Sequence, residues 1–274
     1  MQIGINGRFF RQNWRPAAAE IAFCHTHGFR AIQFQGKELG LGEKELGDKP
    51  AAVGLLLHQS QITAAMELNI TIDTNGKTLG ERTPLQVLEA NLPAIIGLQC
   101  KFVHWHLVPS WPMSEAKART VERNLLPQLA EAVRLGQEHG FGFGFEHSEP
   151  RLRLFGSPSA CADLLKAVRG LQLVWDFNHT PPELLADFAA LAPRVGLLHI
   201  SDTPWPIVNH HLPLGEGTLP LAQFLQPLHE VNFSGMAILE IGGLPASGGY
   251  GRDTDEALIA SRDKLREQWL VASG

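Results

Sequence analysis

Cysteine is scarce in this chain. Three residues, Cys24, Cys100 and Cys161, are spread over 274 positions, with no CxxC pair and no Cys/His zinc spacing. That argues against a disulfide framework and points to free thiols in a reducing compartment. Basic blocks are missing too. The net charge is -5, with both signs scattered, so no footprint for nucleic acid is visible. No apolar run approaches the roughly 18 residues of a membrane span. The N-terminus MQIGINGRFF has no charged leader ahead of a long apolar stretch. The expectation is a cytoplasmic protein that engages neither membrane nor nucleic acid. Gly/Ser linkers and low-complexity segments are absent, which leaves one domain over residues 1–274.

What is present is a regular alternation. Short runs rich in Ile, Val, Leu and Phe fall at residues 2–6, 31–35, 69–73, 100–106, 141–146, 172–177, 196–200 and 236–241. They read as strands buried on both faces. Longer segments of helical spacing lie between them, over 15–29, 51–69, 83–99, 114–140, 157–170, 180–193, 218–235 and 253–272. Several open on Ser, Thr or Asp, with Pro just inside, as helix starts do. Eight strand–helix units in this length predict a closed (β/α)₈ barrel. A doubly wound open sheet is the alternative, but GINGRFF follows the first strand where G-x-G-x-x-G would stand.

Barrels of this kind place their chemistry at the C-terminal ends of the strands. Strand three ends in Asp73, strand four in His104-Trp105-His106 and strand five in Glu146-His147. Strand six ends in Asp176, with His179 three residues on, strand seven in His199 and strand eight in Glu240. Carboxylates converging on one mouth repel each other, and a divalent cation removes that cost. Glu146, Asp176, His199 and Glu240 form an oxygen-rich set that suits one Mn²⁺, Mg²⁺, Co²⁺ or Zn²⁺ without choosing among them. His179 can reach the same cavity.

Each residue also has a plainer reading. Glu240 and Asp176 could pair with rim cations, His199 could be a satisfied core histidine, and His179 could cap a helix starting at Thr180. His104 and His106 alternate with Trp105, so only one strand face points inward. His210 reads as a solvated loop residue, and the glycines of GFGFGF read as packing positions, not a phosphate loop. Arg8, Arg11 and Arg15 cluster with Phe9, Phe10 and Trp14 after the first strand. They form either an anion site, to which Lys37 and Lys77 could add, or a solvated surface.

Glu146, the D-x-x-H of Asp176 and His179, LHISD with His199, LGEG at 214–217 and LEI with Glu240 resemble the xylose-isomerase-like TIM-barrel superfamily. Its members include sugar epimerases, hydroxypyruvate isomerases, inosose dehydratases and family-2 apurinic endonucleases. The resemblance implies a metal held by Glu146, Asp176, His199 and Glu240, with the two glutamates moving a proton through an enediolate. It implies that His179 holds an oxygen of a small polyhydroxylated substrate. It matches His106, favoured over His104, and His211 to further endonuclease ligands, which leaves a second metal open. His106, His211, Arg8 and Asp73 are also expected to contact the substrate. Relatives of this kind form dimers or tetramers, which makes a homo-oligomer an expectation. Two departures stand out. The segment SDTPWPIVNHH lacks the Arg that epimerases carry after the strand-seven His. Asp73 and Asn209 stand where the endonucleases carry two zinc ligands. The implied activity is a metal-dependent isomerase or epimerase. A zinc phosphodiesterase and a dehydratase are the alternatives.

Overall fold

A computed structural model describes residues 1–9, 13–243, 245 and 247–272. Eight parallel strands close into a barrel in chain order. They are β1 (Gln2–Asn6), β2 (Ala31–Gln35), β3 (Thr63–Ile72), β4 (Phe102–Pro109), β5 (Gly142–Glu146), β6 (Gln172–Asp176), β7 (Val195–Ile200) and β8 (Met236–Leu239). The ring shuts through the pairing of β1 with β8, where Ile5 faces Leu239. Around it run α1 (Ala17–Thr26), α2 (Glu43–Leu46), α3 (Pro50–Gln59), α4 (Pro84–Gly97), α5 (Glu115–His139), α6 (Pro158–Ala167), α7 (Leu185–Ala189), α8 (Leu221–Glu230) and α9 (Asp255–Val271). Among the described residues no helix is long and apolar enough to cross a membrane.

Local chemistry explains where helices begin. Thr83 and Gln86 exchange bonds at the start of α4: Thr83 Oγ1 accepts from Gln86 N at 3.2 Å and Gln86 Oε1 from Thr83 N at 2.9 Å. Ser114, Ser157 and Thr254 each accept a backbone N–H at the heads of α5, α6 and α9. Between β6 and β7 the expected helix breaks into short pieces, of which α7 is the longest. Pro181, Pro182 and Pro193 crowd that segment, and a proline cannot donate within a helix.

The third strand departs from the sequence expectation. Residues 51–69 read as one helix and 69–73 as the strand. In the structure α3 stops at Gln59 and β3 already begins at Thr63. Ala64, Ala65, Met66, Glu67 and Leu68 favour helix in isolation. Here β3 is clamped between β2 and β4, with Glu67 opposite both Gln35 and His104, and pairing plus burial override propensity.

Alternate residues of each strand fill the barrel. At its lower end Ala31, Ala65, Phe102, Val174, Leu197, Met236 and Ile238 form an apolar plug, separate from the larger core between sheet and helices. Phe102 is its widest member, and glycines make room for it. A Cβ on Gly144 would lie 2.7 Å from the Phe102 ring, and one on Gly196 2.4 Å. Gly142 and Gly144 of GFGFGF are packing positions, whereas Gly140 ends α5 in the left-handed conformation. Above the plug the inward residues turn polar, and there the site is built.

Candidate active site

Two residues up from the plug on β4 stands His104, and two further His106. Both therefore share the inward face, while Trp105 points outward into the core. A spacing of two along β4 puts both on one side, so both His104 and His106 belong to the site. Glu146 at the end of β5 sits among four imidazoles. Its Oε2 is 3.2 Å from His199 Nδ1, 3.4 Å from His106 Nδ1 and 3.6 Å from His104 Nε2. Its Oε1 is 3.5 Å from His179 Nδ1. His199 Nδ1 also lies 3.3 Å from Glu240 Oε2, and His179 Nδ1 lies 3.2 Å from Asp176 Oδ2.

One ligand atom from each of Glu146, Asp176, His199 and Glu240 falls within 4.8 Å of the others. His106, Glu146 and His179 form a second such group, and Glu67, His104 and His199 a third. The fit to a cation is testable on the polar atoms themselves. Both oxygens of Glu146, Oδ2 of Asp176 and Nδ1 of His199 are buried without a hydrogen-bond partner. Orphaned buried acceptors are costly. These are the atoms that a divalent ion would satisfy.

The electrostatics agree. Burial works against ionisation of Glu146, yet the His106 and His199 charges outweigh it and hold its carboxyl well below the usual range. Burial likewise opposes Glu240, and His199 beside it brings it down to about 2. Asp176 moves the other way. Burial, helped by the charges of Glu146 and Glu240, raises it against the pull of His179. His199 is raised well above 6.5 because Glu146 and Glu240 overcome its burial. His104 is lowered, chiefly by burial.

Of the residues expected at the site, Glu146, Asp176, His179, His199, Glu240 and His106 are brought together. His179 does not cap a helix; it is buried in a short 3₁₀ turn, with Nδ1 3.1 Å from the His147 carbonyl. His211 lies beside the cluster but spends both ring nitrogens locally, Nδ1 at 3.0 Å from the Glu240 carbonyl and Nε2 at 2.8 Å from Asn209 Oδ1.

Two expectations need correction. Asp73 closes its own turn, accepting from the backbone N–H of Asn75 at 2.8 Å and of Lys77 at 2.9 Å. It lies just past the end of β3, whose buried carboxylate is Glu67. Arg8 is buried and ion-paired to the chain's own carboxylates. Its Nε donates to both oxygens of Glu20, at 3.0 and 3.2 Å, and its Nη1 to Asp255, which ties α1 to α9. Arg15 joins the same acids, 3.0 Å from Asp255 Oδ1. Phe10 and Arg11 lie outside the described residues.

Three residues of the site, Glu67, Gln33 and Gln35, have no role in the sequence reading, and His104 and His147 stand there only as strand-end neighbours of His106 and Glu146. Glu67, Gln33, Gln35 and His104 are buried in the polar upper layer of the barrel. His147 backs Asp176, its Nε2 lying 3.0 Å from the Asp176 carbonyl oxygen and 3.2 Å from the Asp176 nitrogen, and burial together with nearby His179 pushes it down to about 3. The alternation AIQFQ, with Gln at i and i+2 of an otherwise apolar strand, was a signal available in the sequence.

Comparisons with known proteins agree with the barrel fold. A family model described as xylose isomerase-like TIM barrel matches residues 21–268. No curated protein sequence matches the chain significantly. Among solved structures, D-psicose 3-epimerase with D-tagatose from Clostridium cellulolyticum H10 is 14% identical with a TM-score of 0.71, covering 98% of this chain and 99% of that one. The IOLI protein with a bound zinc atom is 16% identical with a TM-score of 0.74, covering 100% and 98%. A 3-keto-D-glucoside 4-epimerase from E. coli, in its apo form, is 18% identical with a TM-score of 0.72, covering 97% and 99%. At such identities the likeness is one of fold.

Proposed function

Since this chain belongs to the xylose isomerase-like TIM barrel family, we propose that it is a divalent-metal-dependent isomerase or epimerase of a small sugar or related hydroxy-carbonyl compound. The observation that carries this reading is the convergence of Glu146, Asp176, His199 and Glu240, the first three with buried ligand atoms that have no hydrogen-bond partner. Those four residues would hold Mn²⁺, Mg²⁺, Co²⁺ or Zn²⁺. A cation there would polarise a substrate carbonyl and make the neighbouring C–H more acidic.

The protein's own groups do the rest. Glu146 and Glu240 come from β5 and β8, and both are kept ionised. Each is therefore ready to accept a proton from the carbon beside the carbonyl. Delivery of that proton by the same glutamate to the former carbonyl carbon, with the hydroxyl proton moving to the other oxygen, isomerises; delivery of a proton by the other glutamate to the opposite face of the original carbon inverts that centre. His179, next to Glu146 and Asp176, is placed to hold a substrate oxygen. His106 and Glu240 are the open edge of the cluster, with side chains 14% exposed. The substrate must be small enough to enter between them. The structural likeness to sugar epimerases supports the substrate class. The Arg missing from residues 201–211 argues against a tagatose-like sugar held in the epimerase manner.

The test is metal content per chain, with Glu240→Gln beside the wild type, and NMR of candidate sugars in D₂O. About one ion per chain, lost or weakened in the variant, and deuterium appearing beside the carbonyl would support the reading. No bound ion, with no exchange on adding Mn²⁺, Co²⁺ or Mg²⁺, would sink it. Loss of water from the substrate would redirect it to a dehydratase. One observation favours a second reading, the further group of His106, Glu146 and His179, which shares Glu146 with the first. Two or three zinc ions per chain would therefore move the assignment to a phosphodiesterase and to abasic-site cleavage as the assay.

A further inference from the structure

We propose that Glu67 is a positioning residue whose carboxylate, acting through two carboxamide relays, decides which atoms of His199 and Glu240 are left free for a cation. The inference rests on the metal-dependent reading above and adds a device that fixes the ligands before any ion arrives.

Glu67 is 1% exposed and sits at the centre of the polar layer. Its Oε2 accepts from Gln33 Nε2 at 2.9 Å and from Gln35 Nε2 at 2.6 Å. Its Oε1 faces His106 Nδ1 at 3.3 Å and accepts from Asn69 Nδ2 at 3.4 Å. As a carboxylate it only accepts, so every neighbour must donate to it. That single constraint propagates.

Gln33 spends its NH₂ on Glu67, so its carbonyl end faces the other way, 3.0 Å from His199 Nε2. A carbonyl only accepts, so Nε2 of His199 must carry the proton. The lone pair available to a cation is then on Nδ1, the atom turned toward Glu146 and Glu240 and left unpartnered. The second relay has the same polarity. Gln35 also donates to Asn6 Oδ1 at 3.2 Å, and Asn6 Nδ2 donates to Glu240 Oε1 at 3.3 Å. Glu240 Oε2 stays free, on the side of His199. Four strands, β1, β2, β3 and β7, together with the residue that follows β8, are thus joined in one directed network. Partners that orient ligating histidines in this way tune both affinity and geometry.

The experiment is a Co²⁺ titration followed by its visible absorption, with ¹⁵N NMR of histidines in the Zn²⁺-loaded protein. Glu67→Gln keeps the shape but can donate, so the polarity is no longer enforced. Cobalt affinity is expected to fall about 10- to 100-fold, as for loss of an outer-shell partner. The decisive control exchanges the two groups, Gln33→Glu together with Glu67→Gln. A carboxylate at 33 then accepts directly from His199 Nε2–H. Affinity should return to within about threefold of wild type, a rescue that a merely structural role would not give. If Glu67→Gln does not fold, Gln33→Met breaks the relay at its other member and should show the same loss.

Unchanged affinity in Glu67→Gln, or in Gln33→Met where that stands in for it, overturns the proposal. So does a swap no better than the single change, or a His199 with Nδ1 protonated in the Zn²⁺-loaded wild type. A wild type that binds no cobalt defeats the functional reading, and the relay is then read in the metal-free protein. There the His199 Nε2–H should be protected from solvent exchange and should lose about tenfold of that protection in Gln33→Met. Equal exchange in the two proteins would overturn it.

Discussion

Glu146→Gln in the metal-free protein probes the charge balance of the site directly. The change keeps the side chain's shape and removes its charge. In the wild type, burial lowers His106, but Glu146 and Glu67 outweigh it and raise it from 6.5 to about 9. A histidine raised on folding contributes its stabilisation fully below the unfolded value and loses it as pH rises through the folded value. The window therefore runs from pH 6.5 to about 9. Raising a pKa by that much corresponds to about 3 kcal/mol, and His199, raised as well, adds in the same direction. Urea unfolding in the presence of a chelator should show wild-type stability falling by about 3 kcal/mol or more across this window. In Glu146→Gln the fall should be less than about half as large, because His106 has lost its strongest nearby anion. The three buried thiols, all pushed up by burial, also cost stability above about pH 9. They do so equally in both proteins, so the difference isolates the site. Parallel pH profiles would refute this account of the cluster.

Phe102→Ala opens the lower plug that Gly144 and Gly196 leave room for, and should cost about 3–5 kcal/mol in chemical unfolding. Asp202 accepts from the backbone N–H of Thr203, Gly215 and Leu219 at 2.9, 2.7 and 3.0 Å, and so fastens the LGEG loop. Asp202→Ala should cost about 2–3 kcal/mol, and hydrogen exchange should rise in residues 214–219. Asp73→Ala should leave metal affinity unchanged and lower stability by about 1 kcal/mol. A loss of metal in that variant would restore Asp73 to the site.

Some of the site was legible because the barrel converts strand ends into neighbours. Glu146, Asp176, His199 and Glu240 each follow an apolar run, and parallel closure brings such positions to one mouth. Glu67 was hidden by its context, since AAMEL has the composition of a helix and only pairing with β2 and β4 makes it strand. Gln33 and Gln35 were overlooked because an amide carries no charge to signal chemistry. Arg8 looked like a ligand for anions because its partners, Glu20 and Asp255, lie far from it along the chain.

The sequence by itself determined the alternation of strands and helices, and with it the barrel and the residue types at its mouth. Local hydrophobic period and capping residues carry that information, and both act within a few positions of themselves. Which nitrogen of His199 faces Glu146, which carboxylate of β3 points inward, and which arginine is already neutralised were decided by tertiary structure. Those facts depend on hydrogen bonds between residues as many as 247 positions apart, and no local pattern encodes such a distance.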